Sequence, residues 1–247
     1  MYNANKWLTL SLLLLLIPKV SFGIDQPPFV CGLSNGYPPY QFKSIEGETL
    51  GIDAQLLTLI FNQADLQVTF VQDDWVNILS FLSFTKQLDC VGGMEVTKER
   101  QERFDFTSPI YFRKIAIFTL ENNSSVNSLT DLMGKKLSGD MHSSIEQKLK
   151  HENLRQQIRV VHSLTKSDAM KRLISGEVDA MIAPLAVGQY LAKVNGVKIK
   201  IILTSDYLSP VAIAVKKGNT QLLNQLERSI QTLKDNNKIE LIKQQWL

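Results

Sequence analysis

The chain has 247 residues, with 27 Lys and Arg against 24 Asp and Glu and 44% hydrophobic residues. The near balance of charge argues against a nucleic-acid binder, which needs a basic patch or stripe, and nothing repetitive or fibrous suggests a structural protein. The length suits one large domain or two of about 100 residues, either able to bury a core.

The first element is not expected to belong to the fold. Leu8 to Ile17 is apolar except for Thr9 and Ser11, Lys6 precedes it, Pro18 ends it, and Ser21-Phe22-Gly23 offers small residues for a signal peptidase. This pattern predicts a cleaved secretory signal over residues 1–23, with an uncleaved anchor as the alternative. The run falls short of the roughly 20 residues that span a bilayer. Losing Lys6 and Lys19 with it lowers the net charge from +3 to about +1. The mature chain is expected to be soluble and exported.

Cys31 and Cys90 both sit in short apolar, strand-like runs. They read as two small buried thiols, with pairing as the alternative in an exported protein. His142, His151 and His162 are not at zinc-ligand spacing. No metal site and no cofactor are expected.

From residue 29 strands and helices alternate. Phe29 to Leu33 is a short apolar run closed by the turn-rich Ser34-Asn35-Gly36. Leu56, Leu57, Ile60, Phe61 and Ala64 share one helical face after Asp53, a first-turn or capping acid. Leu66, Val68 and Phe70 alternate with polar residues, a second helix follows near Val76 to Gln87, and Asp89 to Met94 reads as a buried strand. This βαβαβ order predicts a parallel sheet. The second half repeats it: strands at Lys135–Asp140, Ile158–Val161, Asp179–Ala183 and Val197–Leu203, helices from Ser143, Ser167 and Leu185. Pro109–Leu120 and Ser209–Val215 read as extended crossings, and one helix is expected from Thr220 to Trp246. The expected fold is α/β, with two parallel-sheet lobes joined by a two-strand hinge. Lobe 1 takes residues 24–110 plus 211–247, lobe 2 takes 114–207, and the hinge strands lie near 110–114 and 207–211. Ligands of open α/β sheets bind beyond the carboxyl ends of strands, which points to 34–40, 73–75, 92–100, 140–144 and 183–184.

Several motifs then fall into a known order. Gly32-Leu33-Ser34-Asn35-Gly36-Tyr37-Pro38-Pro39-Tyr40, Leu50-Gly51-Ile52-Asp53, Thr97-Lys98-Glu99-Arg100, Phe104-Asp105-Phe106-Thr107-Ser108-Pro109 and Ile242-Lys243-Gln244-Gln245-Trp246 together resemble the amino-acid-binding class of periplasmic substrate-binding proteins of ABC transporters, the family 3 extracellular solute-binding proteins. The likeness covers nearly all of the mature chain. It implies a type II periplasmic-binding-protein fold, hinge closure around a small carboxylate-bearing ligand, the membrane subunits of an ABC transporter as partners, and a monomer that does not bind nucleic acid.

The resemblance gives Arg100 the ligand's α-carboxylate, a role that suits its rigid, permanently charged fork of donors. The bland alternative is a surface arginine between Glu99 and Glu102. Ser143 and Ser144 open a helix after a strand, where free N–H groups favour the same anion or simply accept a cap. Tyr37 and Trp75 match the family's aromatic walls, with core packing as the alternative. Ser34, Gly93 and Thr97 complete the expected set.

Three departures bear on the ligand. Gln55 replaces a usual Asp, a site read as structural. Pro184 stands where most amino-acid binders place an Asp against the ligand's ammonium. Glu95 stands where Ser or Thr is common, and is expected to supply the missing acid. Glu95 paired with Arg100, or an alignment one residue off at Pro184, are the alternatives. An enzyme on the same scaffold, a cyclohexadienyl or arogenate dehydratase with Glu95 as general acid, and a ligand sensor are the competing functions; no nucleophile–base pair supports catalysis.

Overall fold

The computed structural model describes residues 27–139, 149, 156–205 and 208–247. The expected signal segment and the helix expected from Ser143 therefore lie outside the described residues, apart from Leu149, which is helical and buried.

In chain order the strands are β1 (Phe29–Ser34), β2 (Phe42–Lys43), β3 (Thr49–Leu50), β4 (Val68–Asp73), β5 (Cys90–Glu95), β6 (Phe104–Phe106), β7 (Tyr111–Arg113), β8 (Ile115–Leu120), β9 (Lys136–Gly139), β10 (Arg159–His162), β11 (Ala180–Pro184), β12 (Ile199–Thr204) and β13 (Ser209–Lys216). The helices among the described residues are α1 (Ile52–Gln63), α2 (Trp75–Phe84), α3 (Lys98–Arg103), α4 (Lys166–Ile174), α5 (Leu185–Val194), α6 (Thr220–Asp235) and α7 (Lys238–Trp246), with a 3₁₀ turn at Thr130–Leu132.

Two sheets carry the two lobes. One runs β4-β1-β5-β13-β6, with β7 also on β13, and the other runs β10-β9-β11-β8-β12. The βαβ segments pair in parallel as their order requires: β1 with β4 and β5, and β9 with β10 and β11. Each sheet is mixed rather than purely parallel, because β13 runs antiparallel to β5 and β8 runs antiparallel to β11. Those two strands follow extended connections without a crossover helix, whereas parallel neighbours need a crossover, usually a helix. The chain leaves the first sheet between β7 and β8 and re-enters it at β13, where Ser209 pairs with Arg113 and Val211 with Tyr111.

The helices form where apolar spacing meets a cap. On α1, Leu56, Leu57, Ile60 and Phe61 are buried with Asp53 in the first turn, and each large side chain so buried contributes about 1.5–3 kcal/mol. Thr165 caps α4, accepting from the Asp168 N–H at 3.0 Å. The expected C-terminal helix is two helices. The chain breaks at Asn236 and Asn237, and Asn237 adopts φ 57°, a left-handed conformation that Asn tolerates better than most residues. The hairpin β2–β3 and the short α3 were not anticipated, since neither is long enough to show a period.

The cysteines are joined, against the reading as separate thiols. Cys31 and Cys90 are paired residues of β1 and β5 with Cα atoms 4.6 Å apart, inside bridging range. Register across 59 residues brings them together, and local pattern cannot report that.

Candidate functional site

The lobes face each other across a cleft. From the first lobe it is lined by Ser34 at the end of β1 and Asn35, Tyr37 and Gln41 after it, by Trp75 opening α2, by Gly93 and Glu95 on β5, and by Arg100 on α3. Arg113 lines it from β7 and Ile115 from β8. Ser163, Leu164, Thr165, Lys166 and Ala169 line it from the β10–α4 junction, and Ile182, Ala183 and Pro184 from β11. The lobes touch at its rim: the Gly36 carbonyl accepts from the Ser167 N–H at 3.3 Å, in the first turn of α4. Gly36 has φ +62°, and a Cβ there would lie 2.7 Å from the Thr165 Cβ.

Seven expected residues come together here: Ser34, Tyr37, Trp75, Gly93, Glu95, Arg100 and Pro184. Ser143 and Ser144 lie outside the described residues. Thr97 is placed differently from these seven. It is not among the residues that line the cleft, and its hydroxyl caps α3, accepting from the Arg100 N–H at 3.3 Å. A threonine directly before a helix meets that unsatisfied donor first, so it fixes the start of the helix that carries Arg100. Tyr40 is buried behind the cleft, its ring stacked on Tyr111 at 5.6 Å.

Arg100 is held rather than loose. Its Nη1 donates to the Glu95 carbonyl at 2.9 Å, and its guanidinium lies 5.3 Å from the Trp75 ring centroid. Glu95 is half-buried, and its carboxylate forms no ion pair with Arg100 among the described residues. A permanent cation and a carboxylate thus share one lobe at the cleft, each with capacity left for a ligand. Pro184, at the end of β11, offers no side-chain partner.

Beneath this pair lies a buried network. Asp53 accepts from Arg113 Nη2 at 2.9 Å, from Gln41 Nε2 at 2.6 Å and from the Tyr111 hydroxyl at 2.5 Å. Arg113 also donates to the Gly93 carbonyl at 3.1 Å and lies against three rings, 4.1 Å from the centroid of Tyr40, 5.1 Å from Tyr37 and 5.2 Å from Tyr111. Gly93 has φ +64°, and a Cβ there would meet Asp53 Oδ2, so only glycine admits the pair. Burial pushes the Tyr111 phenol well above its usual range, with Arg113 opposing and Asp53 reinforcing the shift. Burial works against the Arg113 charge, but the electrostatic pull of its surroundings, Tyr111 and Asp53 foremost, outweighs it and holds the guanidinium more firmly protonated. Gln55, read as structural, accepts from Trp246 Nε1 at 3.0 Å on the outer face.

Reading the sequence missed Arg113, Lys166 and Gln41. Two of them left a signal. Arg113 interrupts an apolar crossing strand, where a charge needs a partner, and Lys166 falls in the first turn of a helix, where the dipole disfavours a cation.

Residues 29–247 match the family model of bacterial extracellular solute-binding proteins, family 3. ABC transporter arginine-binding protein 1 of Escherichia coli (strain K12) is 23% identical over 219 residues, 87% of this chain and 88% of that one. Two solved structures, an ancestral arginine-binding protein bound to glutamine and one bound to arginine, each superpose with a TM-score of 0.82 at 30% identity. Both superpositions cover 90% of this chain, and 98% and 99% of the other respectively. Among the described residues no helix is long and apolar enough to cross a membrane.

Proposed function

The chain belongs to the bacterial extracellular solute-binding proteins, family 3, and from that membership we propose that it captures an amino acid between its lobes for delivery to a membrane transporter. The observation that carries this reading is Arg100 and Glu95 on one wall of a cleft between two lobes. Arg100 takes the α-carboxylate, its free guanidinium donors forming charge-assisted bonds. Glu95 takes the ammonium that Pro184 cannot. Tyr37 and Trp75 flank the ligand, and Ser34 and Gly93 border it. Both charged groups of the ligand are therefore read by the first lobe, and the second lobe closes over what remains.

The names of the E. coli relative and of the ancestral proteins, all arginine-binding, support an amino acid as the ligand class. Closure is a shift of population toward the form in which both lobes touch the ligand, and the Gly36–Ser167 contact is the rim of that form. The Cys31–Cys90 disulfide fits the oxidising periplasm to which an expected signal over residues 1–23 would send the chain. The protein acts as a binding protein rather than an enzyme, and as a monomer.

The test is a thermal-shift screen of the mature protein against α-amino acids and related carboxylates. Ligands that bind only the folded state raise the melting temperature with concentration. One amino-acid class is expected to do so, and Arg100→Ala to weaken its binding by about two orders of magnitude. Glu95→Gln with unchanged affinity would remove the ammonium role; no shift with any α-amino acid would overturn the reading.

A further inference from the structure

Gln41 lines the cleft, yet each of its side-chain polar atoms is already bonded within the protein. It is 2% exposed. Its Oε1 accepts from the Ser34 N–H at 2.6 Å, and its Nε2 donates to the Gly92 carbonyl at 3.1 Å and to Asp53 Oδ2 at 2.6 Å. Resting on the amino-acid reading above, we propose that Gln41 is a positioning residue for the ligand. Its amide is a wedge in the β1–β5 ladder that opens the floor of the cleft and sets where Ser34 and Gly93, with Glu95 beyond, stand against the ligand.

The strand register locates the wedge. β1 and β5 run parallel, with Cys31 opposite Cys90 and Gly32 opposite Val91. The N–H groups of Phe29 and Asn35 turn to the other side and bond to the Gln67 and Asp73 carbonyls. Backbone groups alternate sides along a strand, so the Ser34 N–H faces β5. Continued one step, the register would bond that N–H directly to the Gly92 carbonyl. The two instead meet on opposite sides of the Gln41 amide. A primary amide suits such a gap because, like a peptide group, it accepts with its oxygen and donates with its nitrogen.

Both sides of the gap are built for the wedge. Gly93 has φ +64°, and a Cβ there would collide with Gln41 Nε2 as well as with Asp53 Oδ2. The Tyr37 N–H donates to the Gln41 carbonyl and the Gln41 N–H to the Tyr37 carbonyl, each at 2.9 Å, so the turn that carries Tyr37 brings Gln41 back to the strand ends. Asp53, which accepts from Gln41, also accepts from Arg113, and Arg113 donates to the Gly93 carbonyl. One side chain therefore joins the end of β1, the Tyr37 turn and the residues at which β5 leaves the ladder. Without it, the Ser34 N–H and the Gly92 carbonyl either pair directly and close the floor, or stay buried and unpaired at a cost. Either way the groups that meet the ligand shift, and a site displaced by about 1 Å loses affinity.

The experiment joins NMR of the isotopically labelled mature protein to calorimetric titration with arginine, glutamine, glutamate and leucine. In the wild type a scalar coupling across the hydrogen bond is expected between the Ser34 amide nitrogen and the Gln41 side-chain carbonyl carbon. A coupling from Ser34 to the Gly92 carbonyl carbon instead overturns the wedge, whether or not any variant folds. Gln41→Ala, and Gln41→Met, which keeps the chain length but not the hydrogen bonds, are each expected to weaken whichever of the four binds the wild type by at least about tenfold, at a temperature where their spectra show a folded protein. Unchanged affinity in a folded variant overturns the proposal while leaving amino-acid capture intact. Absence of binding to all four by the folded wild type overturns the amino-acid reading and, with it, the role of Gln41 toward a ligand.

Discussion

Arg113 and Asp53, 60 positions apart, form a 2.9 Å ion pair whose side chains are 3% and 2% exposed. Such a pair contributes little net stability but is costly to break from one side, because a buried charge is then left alone. Asp53→Asn is expected to cost about 3–5 kcal/mol in urea unfolding. The double variant Asp53→Leu with Arg113→Met is expected to recover most of that loss. Equal losses in the two proteins would mean that packing, and not charge, sets the cost.

Gly36 should control closure. Its positive φ and its contact with Thr165 leave no room for a Cβ. Gly36→Ala is expected to hold the lobes apart and to weaken ligand binding at least tenfold, with little loss of lobe stability. Small-angle scattering would show a larger radius of gyration that ligand fails to reduce. Normal compaction on ligand addition would mean that the rim contact is not needed for closure.

The Cys31–Cys90 bond closes a loop of 59 residues in the first lobe. For a loop of that length the chain-entropy argument gives about 4 kcal/mol. Cys31→Ser with Cys90→Ser is expected to lower stability by that order, and mass spectrometry under non-reducing conditions to find no free thiol in the wild type.

Alkaline pH should destabilise the protein through its buried tyrosines. Burial raises the Tyr40 phenol above its usual value, with Arg113 opposing, and raises Tyr111 further. The unfolded chain releases those protons near pH 10 while the folded chain keeps them, so this stability is complete below about pH 10 and is lost as pH rises beyond it. Tyr40→Phe is expected to lose less stability than the wild type between about pH 9 and 11. Parallel curves for the two proteins would show that Tyr40 titrates alike in both states.

Much of the scaffold was legible in the chain because its signals are local. The spacing of Leu56, Leu57, Ile60 and Phe61 shows α1 within a dozen residues, and the alternation through Val68 and Phe70 shows β4. Strand order then predicts that Ser34, Trp75, Glu95 and Pro184 gather at one cleft, since each lies at or just beyond the carboxyl end of a strand. Tertiary structure alone decided the partners. Cys31 meets Cys90 and Asp53 meets Arg113 only through register and chain crossings over about 60 residues. Thr97 caps α3 because the unsatisfied Arg100 N–H is the donor nearest to its hydroxyl. Lys166 became part of the cleft wall only when the second lobe folded against the first. Periodicity records which face of an element is buried; it carries no information on what a charge will find there, and in this protein the charges define the site.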